Sequence, residues 1–68
     1  MPETEPVTPL MQAFVARRSE LRRLFLVRTR SETDADDLVQ ELFLKVAGIE
    51  DGRVDNPPAY LYRLALNL

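Results

Sequence analysis

Apolar residues recur along this chain at helical spacing in three blocks, each closed off by a polar break. In the first block Leu10, Phe14, Leu21, Leu24, Phe25 and Arg28 follow one another at steps of three, four and seven. Such steps place them on one stripe of a helix. Thr8-Pro9 supplies the start, because proline is preorganised for a first helical position. The pattern predicts a first helix over about 9–29. Ser31-Glu32-Thr33-Asp34 interrupts it. Ser31 or Thr33 can cap the next helix, and the acids that follow suit its positive end. Ala35, Leu38, Val39, Leu42, Phe43 and Val46 then form a second apolar face, and Gly48 marks its stop. This predicts a helix over about 32–47. After a polar loop from Ile49 to Asp55, Asn56-Pro57-Pro58 begins a third helix over about 57–68, with Leu61, Leu64, Ala65 and Leu68 on its apolar side. The fold expected is all-α, with three helices.

Composition narrows what such a fold can do. The chain has 68 residues, room for one domain with a small core. Residues 1–8 hold prolines and acids with little to bury and read as a disordered leader. Neither cysteine nor histidine is present, which rules out a Cys/His zinc site, a thiol nucleophile and a histidine-based triad. No glycine-rich phosphate loop occurs. Asp34, Asp36 and Asp37 cluster without the alternation and central glycine of a calcium loop. We therefore expect no enzyme, no metal and no cofactor. No apolar run is long enough to span a bilayer, and the acidic start is unlike a signal peptide, so no membrane insertion and a cytoplasmic location are expected.

Net charge is only −2, yet the charges are segregated. Arg17, Arg18, Arg22, Arg23, Arg28 and Arg30 stand against Glu20 alone. Further on, Glu32, Asp34, Asp36, Asp37, Glu41, Glu50, Asp51 and Asp55 stand against Lys45 and Arg53. Charge patterning of this kind fits solvated faces that pair with each other, or surfaces for partners of opposite sign. Opposite the apolar face of the second helix, Asp37, Gln40, Glu41 and Leu44 fall at i, i+3, i+4 and i+7 and share one exposed ridge. Read by periodicity alone, the ridge fits a solvated face as well as a contact surface. On the third helix Tyr60, Tyr62, Arg63 and Asn67 mix groups that can stack on bases and bond phosphates, or simply line a solvated side.

Residue order adds what spacing leaves open. Asp34-Ala35-Asp36-Asp37-Leu38-Val39-Gln40-Glu41-Leu42-Phe43-Leu44-Lys45 resembles the region 2 helix of bacterial sigma factors, in particular the extracytoplasmic-function group. Asn56 to Leu68 is similar to that group's next segment, and the phrasing resembles the branch associated with iron-siderophore uptake. The resemblance covers about residues 10–68. It implies a small sigma factor region 2 domain of a promoter-specificity subunit, which binds the clamp helices of the RNA polymerase largest subunit and helps read and melt the −10 element. By position, it implies polymerase contacts at Asp37, Gln40 and Glu41 with Leu44 as an apolar neighbour. It implies DNA contacts at Lys45 and Asn67, and Tyr62 and Arg63 are candidates beside them. An anti-sigma factor is a further implied partner.

Leu66 departs from the basic or small residue that the family often has there. The apolar pattern runs up to Leu68, so the chain is read as C-terminally truncated, with weak or no DNA binding of its own. The rival reading is a helical protein-interaction module that self-associates or docks on a regulatory protein, since small cores often compensate by forming homo-oligomers.

Overall fold

The computed structural model describes residues 8–49 and 54–68. Its helices are α1 (Pro9–Ala16), α2 (Arg18–Thr29), α3 (Glu32–Ala47) and α4 (Pro57–Leu66). Residues 1–7 of the expected 1–8 leader and the middle of the expected loop, 50–53, lie outside the described residues, while Thr8 belongs to the start of α1 as its cap. Among the described residues every regular element is helical.

The count corrects the expectation: the first helix is two. The chain breaks at Arg17, whose backbone sits at φ −112°, ψ 16°. A continuous helix would have aimed Arg17 into the apolar stripe between Phe14 and Leu21, where a charge has no partner. The break turns the chain instead and leaves Arg17 half-buried. The N–H of Arg17 donates to the carbonyls of Ala13 and Phe14, which closes α1, and its own carbonyl accepts from Leu21 at 2.9 Å, which opens α2.

Local chemistry sets the other ends. Thr8 caps α1 by accepting from the N–H of Met11. Ser31, rather than Thr33, caps α3, accepting from Asp34 at 3.2 Å. Asn56 caps α4 by accepting from Ala59, and prolines fill its first turn. Between α2 and α3 Arg30 takes a left-handed conformation at φ 59°, ψ 27°, and its N–H donates to Leu26. Gly48 ends α3 at φ −91°, ψ 0°, a conformation any residue adopts, so the stop does not depend on glycine.

α2 and α3 pack as an antiparallel hairpin, while α1 lies mainly against α4 and also touches α3. The core gathers Leu10 and Phe14 of α1, Leu21 and Phe25 of α2, Leu42 and Val46 of α3, and Leu61 of α4, with alanines at close approaches. Each of the large side chains contributes roughly 1.5–3 kcal/mol by leaving water. Two sequence expectations change here. Phe43, assigned to the core, is 42% exposed, because it stands at the margin of the α3 face where α1 covers it only in part. Its ring lies 5.9 Å from that of Phe14, tilted by 50°. Arg28, counted in the apolar stripe, is exposed and reaches α4 instead.

Candidate functional site

The burial of Ala35, Val39, Leu42 and Val46 fixes the rotation of α3. Helical geometry then turns Asp37, Gln40, Glu41 and Leu44 to the opposite side, and all four are exposed. Leu44 is 64% exposed, an apolar side chain in the middle of a polar ridge. The acids of the ridge are available to a partner. Among the described residues both ion pairs belong to Arg22, which meets Asp36 at 2.6 Å and Glu32 at 3.7 Å. Asp37 and Glu41 take part in neither.

Lys45 is exposed in the last turn of α3, where a cation suits the negative helix end. On α4 the structure separates the remaining candidates. Arg63 and Asn67, four residues apart, share the outward side, and both are exposed. Asn67 also closes the helix, its N–H donating to Arg63 and Leu64. Tyr62 stands on another flank, about 100° from Arg63 around the helix. It is half-buried, and its hydroxyl donates to Glu20 of α2 at 3.0 Å. Burial, and then the hydrogen bond and charge of Glu20, push its phenol above the ordinary value.

Residues outside the expected set also shape the site. Arg28 donates from Nη2 to the carbonyl of Leu68 at 3.0 Å and from Nη1, at a longer 3.5 Å, to that of Ala65. Its guanidinium also lies 6.0 Å from the Phe25 ring. It thereby ties the end of α4, with Asn67, to α2. An arginine inside an otherwise apolar stripe was the one sequence signal for this link. Beside the ridge, an open groove of about 890 Å³ runs between α3 and the junction of α1 and α2. Phe14, Val39 and Phe43 line it from below, and Gln40 borders it from the ridge. Among the described residues no group of acids could hold a metal ion. No described helix is long and apolar enough to cross a membrane.

The described residues thus form a helical bundle that exposes Asp37, Gln40, Glu41 and Leu44 along α3. The sequence model of the sigma-70 region 2 family matches residues 13–68, and the chain belongs to that family. No curated protein and no solved structure matches the chain. Region 2 is a non-enzymatic domain of transcription-initiation factors, with roles in RNA polymerase binding and promoter recognition.

Proposed function

We propose that the chain is region 2 of an extracytoplasmic-function sigma factor, of the branch associated with iron-siderophore uptake, acting in the cytoplasm. Its α3 ridge docks on the clamp helices of the polymerase largest subunit through Asp37, Gln40, Glu41 and Leu44. The observation that carries this reading is the ridge itself: two acids outside the described ion pairs and an exposed leucine, on a chain of this family. Charged groups steer a basic partner and the central apolar side chain supplies area to bury.

The −10 element of promoter DNA is met by Lys45 in the last turn of α3 and, at a separate place, by the outward side of α4. Lys45 neutralises a phosphate, and the outward pair Arg63 and Asn67 supplies a cation and an amide for an unpaired base. Tyr62, tied to Glu20, contributes its ring edge and holds α4 against α2. An anti-sigma regulator belongs to the same reading.

The test is binding of an isolated clamp-helix fragment, measured by calorimetry, with light scattering on the protein alone. Binding that weakens in Gln40→Ala and Glu41→Ala supports the assignment. The rival reading, a self-associating module, is favoured by Leu44 and Leu66, each 64% exposed. A concentration-dependent dimer with no affinity for the clamp fragment would select it.

A further inference from the structure

The outer side of the α2–α3 hairpin, turned away from the core, carries charges that the fold leaves unpaired. On the facing sides of the two helices Arg22 meets Asp36 at 2.6 Å. Arg23 and Asp37 are the next residues along, turned about 100° further round their helices. Burial of Leu21 and Phe25 on α2, and of Ala35, Val39, Leu42 and Val46 on α3, makes that turn an outward one in both cases. Arg23 and Asp37 therefore stand level with each other on the outer side, and both are exposed. Neither takes part in an ion pair among the described residues. The same side holds Val27, 73% exposed, and Leu44, 64% exposed.

We propose that a second copy of this chain covers this side, in a closed dimer whose two-fold axis runs along the hairpin between α2 and α3. Such an axis lays α2 of each copy over α3 of the other and keeps their levels unchanged. Each Arg23 then meets Asp37 of the other copy, and like charges fall on the diagonal. A two-fold axis across the hairpin would set α2 on α2 and α3 on α3, basic on basic and acidic on acidic, and is disfavoured. The contact is isologous, so two copies satisfy it and growth stops at the dimer. Val27 and Leu44 leave water at the same contact, while the charges fix which helix lies on which.

Asp37 and Leu44 also belong to the ridge assigned to polymerase, so the dimer masks that ridge. A clamp helix and a second copy then compete for it, and the chain is open to polymerase only as a monomer. The dimer itself does not rest on the clamp assignment; only this consequence does.

The experiment is sedimentation equilibrium on the full chain across a range of concentrations, at low and at high salt. The mass is expected to rise to two copies and no further, with association weakening as salt is added. Arg23→Asp and Asp37→Arg should each weaken the dimer by roughly tenfold or more. The double variant, which swaps the charges, should return to within roughly threefold of the unaltered protein. Both side chains are exposed and outside the described ion pairs, so circular dichroism should report an unchanged fold in each variant. A chain that stays monomeric throughout, a mass that passes beyond two copies, or a double variant no tighter than the single ones would overturn the proposal. So would single variants that dimerise as well as the unaltered protein, since the contact would then lie on another face, such as that of Leu66. Adding the isolated clamp-helix fragment should dissolve the dimer, and a fragment that binds the intact dimer would also overturn the proposal. A fragment that binds neither form, beside a restored double variant, would remove the clamp assignment and leave the dimer standing.

Discussion

The Arg28 guanidinium donates to the backbone oxygen of Leu68 at 3.0 Å, across two helices that otherwise meet mainly through side chains. The arginine sits at the last carbonyls beyond and within α4, Leu68 and Ala65, the latter also accepting from the N–H of Leu68 at 3.2 Å, and there the helix dipole favours a cation. Arg28→Ala should therefore lower stability by about 1 kcal/mol. In a domain this small that is about 4–8 °C in melting temperature. Amide exchange at Asn67 and Leu68 should quicken, with exchange at Leu42 rising only as far as global stability falls. Uniform acceleration at all sites would show that Arg28 supports the bundle generally and not the end of α4.

Arg30 holds a left-handed backbone conformation between α2 and α3. A side chain there costs roughly 1 kcal/mol, which glycine avoids, although glycine also gains freedom in the unfolded chain. Arg30 takes part in neither described ion pair. Arg30→Gly should thus leave stability unchanged or raise it by up to about 1 kcal/mol. Arg30→Val, which adds a β-branch at the same angles, should lower it. Thermal melts of the two variants check the ordering.

Asp36 accepts a short hydrogen bond from Arg22, and that bond holds its carboxyl below the ordinary value of 3.8. A folded-state value below the unfolded one means that the charged form favours folding. The contribution is full above the ordinary value and disappears as pH falls through the lower folded one. Both side chains are exposed, so salt should weaken it. Asp36→Asn should melt below the unaltered protein at neutral pH and low salt. The two should converge in strong acid and draw together as salt is added. A difference independent of pH would place the effect in packing and not in charge.

The bounds of α3 were legible in the sequence because a cap and a complete apolar period coincide there: Ser31 opens it and Ala35 to Val46 sustain it. The ridge of Asp37, Gln40, Glu41 and Leu44 follows from that period, since the buried face fixes the exposed one. Arg17 was missed for a definable reason. The step of seven from Phe14 to Leu21 keeps the stripe in phase while passing over the position where an apolar residue is due. That gap is the break. Phe43 could not be placed by periodicity, because a residue at the margin of a helical face is buried or exposed according to the neighbouring helix. The groove and the reach of Arg28 depend likewise on how helices meet, which no single-helix pattern contains.

Charge on the ridge should govern the polymerase contact assigned to it. Asp37 and Glu41 are exposed and outside both described ion pairs. Reversing either therefore removes an attraction and adds a repulsion at little cost to the fold. Asp37→Lys and Glu41→Lys should each weaken binding of the clamp-helix fragment by about tenfold or more. The unaltered complex should itself weaken as salt rises, and the variants should show a shallower dependence because fewer favourable charge contacts remain to be screened. Leu44→Ala should also weaken binding, by loss of buried apolar area, with the salt dependence of the unaltered protein. Lys45→Ala should leave the clamp affinity unchanged, since that side chain is assigned to DNA. Calorimetric titrations at low and high salt measure all of these. Charge-reversed variants that bind as tightly as the unaltered protein would show that polymerase meets a different face of α3.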